Sequence, residues 1–147
     1  MYNNNNDAPL NKPLYNATMK QSVVRWFKKM FNFKGYASRS EYWWVALFIF
    51  LIMIVPSGLS NIGSSSDASM MAALIGGIFS IIYGILSLFI FISTLGLTWR
   101  RLHDAGFSGA WFFISLIPII GWIIFLILTI LPTNPAKHRP EWEDNTL

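Results

Sequence analysis

From Met70 to Leu97 the chain carries no charged side chain. The run is about 28 residues, or roughly 42 Å of helix at 1.5 Å per residue. A bilayer core of about 30 Å is crossed by about 20 apolar residues. The run therefore predicts a membrane span that tilts, kinks or protrudes. Two further apolar runs flank it, Tyr42 to Leu59 and Trp111 to Leu131, of about 18 and 21 residues, each adequate to cross. Composition agrees. The chain is 54% hydrophobic and 12% charged, against about 25% charged in a soluble domain.

These runs predict an all-α integral membrane protein with about three transmembrane helices, over 42–59, 70–97 and 111–131. Pro118 and Gly121 interrupt the third. It is either a kinked span, since membrane helices tolerate proline, or a re-entrant hairpin turning at Pro118 to Gly121. Trp122 falls near its middle, an unusual depth for tryptophan.

An amphipathic helix is expected ahead of the spans, over residues 18–34. Met19, Val23, Trp26, Phe27, Met30 and Phe31 share one helical face, and Lys20, Arg25, Lys28 and Lys29 lie off it. Thr18 and Gln21 fit a capping box. Such a helix lies in the interface with its basic residues on anionic head groups, or packs on the protein's own membrane domain. The membrane domain is thus expected over 18–132. A disordered tail with Asn3 to Asn6, Pro9 and Pro13 precedes it, over 1–17. A solvated polar tail follows, over 133–147. No secretory signal pattern is expected, because no apolar segment of that kind occurs in the first thirty residues.

Orientation follows from the basic residues. Lys28, Lys29, Lys34 and Arg39 precede the first span, and Arg100 and Arg101 follow the second. The positive-inside rule puts those ends and the N-terminus in the cytoplasm. The loop Ser60 to Ser69, whose one charge is Asp67, is then external. Three full spans put the C-terminus outside and a re-entrant third run puts it inside, an arrangement that Lys137 and Arg139 favour.

Between the second and third runs, Arg100, Arg101, His103 and Asp104 crowd together, with Trp99 and Trp111 outside them. Arg39 and Glu41 open the first span. Antiparallel neighbours joined by a short loop bring both stretches to one interface. The candidate interfacial charge cluster is therefore Arg39, Glu41, Arg100, Arg101, His103 and Asp104. Glu41 is expected to pair with Arg100 or Arg101, and Arg39 with Asp104. Ala72, Gly76, Ser80 and Gly84 form a small-residue stripe. It suits packing within the chain or a membrane partner, including a second copy.

Phe33-Lys34-Gly35-Tyr36-Ala37-Ser38-Arg39-Ser40-Glu41-Tyr42-Trp43-Trp44 resembles the F-x-G-R-x-x-R-x-E-Y-W pattern of DUF805, a family of small bacterial inner-membrane proteins of unknown function. A second stretch carries the same resemblance: Arg100 to Asp104, then Gly106, Ser108, Trp111 and Ile117 to Gly121. Together they cover roughly residues 20–132. Tyr36 stands where the family often has arginine, and Asn134 to Arg139 replaces its Gly-x-Asn-x-Tyr-Gly ending. The resemblance implies a multi-pass inner (plasma) membrane protein and brings no activity.

Chemistry is not expected. His103 and Asp104 are adjacent and diverge by about 100° on a helix. Catalytic zinc usually takes three protein ligands, whereas the chain has two histidines and no cysteine. No catalytic residue, cofactor, metal or nucleic-acid partner is expected. The apolar runs contain no Asp, Glu, Lys, Arg or His, which argues against a self-contained ion path. The expected role is structural, scaffolding or accessory. The alternatives are a subunit of a small transporter or channel, or a binder of anionic phospholipid head groups through Arg100 and Arg101.

Overall fold

The computed structural model describes residues 8–59 and 69–145, with side chains as far as Ile54 in the first stretch. The Asn3 to Asn6 segment and nearly all of the Ser/Gly loop with Asp67 lie outside the described residues. Regular structure among the described residues is helical throughout.

Helix α1 spans Met19–Lys28. Its start is the expected capping box. Thr18 N donates to Gln21 Oε1 at 2.9 Å, and Gln21 N donates to Thr18 Oγ1 at 3.4 Å. It ends earlier than residue 34, because the chain turns onto α3. The carbonyls of Met30 and Asn32 lie 3.3 Å from where a Cβ on Gly96 would sit.

Helix α2 spans Arg39–Leu59 and begins ahead of the apolar run. Ser38 and Glu41 form a second capping box, with Ser38 N donating to Glu41 Oε2 at 3.0 Å and Glu41 N to Ser38 Oγ at 3.2 Å.

Helix α3 spans Met70–Asp104. Among the described residues it is the one helix long and apolar enough to cross a membrane, by length and composition. It continues beyond Leu97, so Arg100 to Asp104 form its last turns. The helix closes with a Schellman pattern, Phe107 N donating to Leu102 O at 2.9 Å and Gly106 N to His103 O at 3.0 Å. Gly106 takes the left-handed conformation this closure needs, at φ +86°.

α2 and α3 run antiparallel. Ala37 N donates to Arg100 O at one end, and Tyr83 Oη donates to Met53 O farther along. Trp26, Ala37, Val45, Ile90 and Leu97 form the core between α1, α2 and α3. It sits toward the charged end. Nearer Met70, α3 is open. Ser80 and Gly84 of the small-residue stripe are exposed, and a Cβ on Gly84 would meet nothing within 4 Å. Packing within the chain therefore does not use that part of the stripe.

The third apolar run folds back on itself. A 3-10 segment, Gly109–Leu116, is followed by a turn and by helix α4, Ile120–Ile130. The Phe112 and Phe125 rings are 6.0 Å apart, although a continuous helix would separate them by about 20 Å. Trp122 Nε1 donates to Ser115 O at 2.7 Å across the hairpin. That bond explains a tryptophan in the middle of an apolar run. At the turn Ile119 has φ +63°, a conformation that costs a β-branched residue on the order of 1–3 kcal/mol. The hairpin holds it there because Gly121 lets the two limbs of the hairpin touch. A Cβ on Gly121 would overlap the Ile114 carbonyl oxygen.

Gly121→Ala should therefore cost at least the 1–3 kcal/mol of an overpacked core, roughly. Gly84→Ala should be neutral or gain up to about 1 kcal/mol of helix propensity. Thermal unfolding of the two variants in detergent checks the contrast.

Candidate functional site

The two motif stretches meet at one end of the α2–α3 pair, where polar groups are buried among the core residues. Glu41 is 5% exposed. Its Oε1 accepts from Arg25 Nε, and its Oε2 accepts from Ser38 N and from Leu14 N at 3.1 Å. The rest of the Arg25 guanidinium donates to the carbonyls of Ala8, Pro9 and Lys12. Lys29 Nζ donates to Leu10 O. Residues 8–17 are consequently not a free tail. They are laid over α1 and held by buried cations.

Lys29 is 3% exposed. Burial, and then the neighbouring Arg100 charge, lowers its ammonium pKa from 10.5 to about 8.

The second cluster surrounds Arg101, which is fully buried. Its Nη1 donates to Asp104 Oδ2 at 2.6 Å, one helical turn away. Its Nε donates to Thr129 O at 3.0 Å, and its Nη2 to Leu131 O. These carbonyls end α4, where the helix leaves its last acceptors unpaired. Asp104 also accepts from Thr133 Oγ1 at 2.7 Å, and its carbonyl accepts from Asn134 N at 2.9 Å. One buried ion pair thus fastens the returning limb of the hairpin to the end of α3.

The segment after α4 is folded over this platform, and is not simply solvated. Tyr36 stacks on His138 with centroids 3.9 Å apart, and Tyr36 Oη donates to Arg139 O. His103 stacks on Trp142 at 4.4 Å, Gly35 N donates to Trp142 O at 2.7 Å, and Asn32 Nδ2 donates to Asp144. Burial, reinforced by the Glu143 carboxylate, raises the Tyr36 phenol above its usual pKa. The two departures from the family pattern, Tyr36 and Asn134 to Arg139, therefore touch.

The charges of the expected cluster take partners other than those expected. Glu41 pairs with Arg25, not with Arg100 or Arg101. Asp104 pairs with Arg101, not with Arg39. The pattern of α1 puts Arg25 among basic residues expected on anionic head groups. Adjacent α1 and α2 bring it to Glu41 first. Arg39 is exposed. Arg100 is 2% exposed; its Nε donates to Gly96 O, and its Nη2 makes no hydrogen bond among the described residues. Arg100 and Arg101 both point inward, so neither offers a surface fork to a head group. Among the described residues no three His, Asp or Glu side chains converge on a metal position.

Residues 30–140 match the family described as "Protein of unknown function (DUF805)". The chain is similar to the inner membrane protein YhaH of Escherichia coli K12, with 31% identity over 116 residues, covering 76% of this chain and 86% of that protein. It is also similar to the inner membrane protein YhaI of the same strain, with 29% identity over 131 residues, covering 79% and 92%. No solved structure matches.

Removing Glu41 leaves Arg25 buried with a lost counter-charge. Glu41→Gln should cost about 3–5 kcal/mol. Glu141→Gln breaks the exposed pair with Arg139 and should cost about 0–1 kcal/mol. Denaturant unfolding in detergent compares them.

Lys29 also predicts a pH dependence. Between pH 8 and 10.5 the unfolded chain keeps a proton that the folded chain has released. Stability should therefore rise with pH across that window and be flat in this term outside it. Lys29→Met should remove the rise.

Proposed function

The chain belongs to the DUF805 family of small bacterial inner-membrane proteins, and from that premise we propose that it is a membrane-anchored scaffold whose accessory role is exerted through α3. The carrying observation is the contrast between the two ends of that helix. At the charged end the ion pairs and carbonyl contacts are consumed in holding α1, α2, α3, the hairpin and both flanking segments together. Toward Met70 the same helix presents Ile78, Phe79, Ile81, Ile82 and Ile85 exposed. Its Gly77 and Gly84 are open to close approach by another helix. A transport role finds less support, because the buried charges gather at one end of the spans.

In this reading α2 and α3 both cross the membrane and the hairpin re-enters it. Two observations support that arrangement. Arg101 binds carbonyls at the end of α4, and Tyr36 and Gly35 bind the segment after it. Both flanking segments then share one side. Lys28, Lys34, Arg39, Lys137 and Arg139 make that side the cytoplasm.

Topology reporters fused before Phe33 and after Leu147 should both read cytoplasmic, and one inserted at Ser65 external; an external reading after Leu147 removes the re-entrant hairpin. A photo-crosslinking side chain at Ile81 should give a discrete protein adduct in cells. Adducts to lipid alone at that position overturn the scaffold role.

A further inference from the structure

α1 turns only part of its apolar face outward. Trp26 points inward, 3% exposed, and its Nε1 donates to Ser93 O. Arg25 and Lys29 are buried and committed to Glu41 and to carbonyls of residues 8–12. What α1 turns outward is a stripe of Lys20, Val24, Phe27 and Lys28, continued by Phe31 beyond the helix end. Val24, Phe27 and Phe31 are 44%, 52% and 63% exposed. Beside this stripe lies a groove of ≈ 630 Å³ between α1 and residues 8–14. Pro9, Leu10, Leu14 and Val24 give it apolar walls, and Lys20 and Lys28 stand at it. Among the described residues no aspartate or glutamate lines it.

Its level on α3 says what reaches it. Phe31 meets Phe89 edge-on at 6.0 Å, and Trp26 bonds Ser93. Ser93 lies roughly 16 Å up the helix axis from Asp104 at 1.5 Å per residue. α1 thus flanks the apolar helix at the height where the charged end gives way to the span. A surface there faces head groups and upper acyl chains.

We propose that this groove binds an anionic phospholipid, the phosphate between Lys20 and Lys28 and the start of an acyl chain along Leu10, Leu14 and Val24. Charge complementarity selects the occupant. An anionic lipid brings a net negative charge to the two lysines, whereas a zwitterionic lipid offsets its phosphate with its own cation. A free phosphate leaves the apolar walls unused. The inference does not depend on the scaffold role, and either can fail alone.

The test is binding of a fluorescent-chain phosphatidylglycerol to the full-length protein in a neutral detergent. Phosphatidylglycerol should bind more tightly than phosphatidylcholine of the same chains, and salt should weaken it. Each lysine near an anionic surface contributes enough that the double variant Lys20→Gln/Lys28→Gln should bind about thirty-fold more weakly. Both lysines are exposed, so the variant should unfold at the wild-type temperature without lipid. Lys34→Gln/Lys137→Gln removes the same charge outside the groove and should bind as wild type. Equal binding of the two lipids, an unaffected Lys20/Lys28 variant, or an equal loss in the control pair overturns the proposal. So does glycerophosphate competing as well as the intact lipid, which would mark a site for a free anion.

Discussion

Glu41 is where the parts of this protein meet. Its carboxylate caps α2, pairs with Arg25 of α1 and accepts the backbone of Leu14. A buried carboxylate is costly unless its lone pairs are taken, and here three segments are recruited to take them. Arg101 repeats the device from the cationic side, its three guanidinium nitrogens donating to Asp104 and to the last carbonyls of α4. Neither group is stable alone in an apolar setting. The need to satisfy each one fixes which segments must be neighbours.

That need explains why the polar stretches are so dense in an otherwise apolar chain. In a membrane protein, apolar contacts between helices distinguish weakly between one packing and another, since lipid tails are as apolar as side chains. Directional bonds to buried charges distinguish strongly. The ordering of residues 8–17, the docking of residues 133–145 and the return of the hairpin each depend on a side chain at the charged end of the fold. Among the described residues the span toward Met70 shows no such bonds, and its apolar side chains are exposed.

Tyr36 and His138 show how a family pattern can vary. The ring of Tyr36 occupies a position where arginine is common and stacks on the tail segment that also departs from the pattern. Each departure read alone looks like an erosion of the motif, whereas in contact they form one joint.

Period and composition alone settled much of this protein. Apolar runs longer than a soluble core can hide require a membrane. Thr18 with Gln21 and Ser38 with Glu41 mark helix starts, because their side chains reach their own backbone. The meeting of the two motif stretches followed from antiparallel α2 and α3. What the sequence left open were choices between chemically equal partners. Arg25, Arg100 and Arg101 are the same residue to a pattern, and only the packing of α1 on α2 gave Glu41 to Arg25. Pro118 and Gly121 announce a break in a helix, but kink and reversal share those residues. The choice lay with contacts far apart in the chain, Trp122 to Ser115 within the hairpin and Arg101 to Thr129 and Leu131 outside it, and such contacts exist only once the tertiary structure has formed.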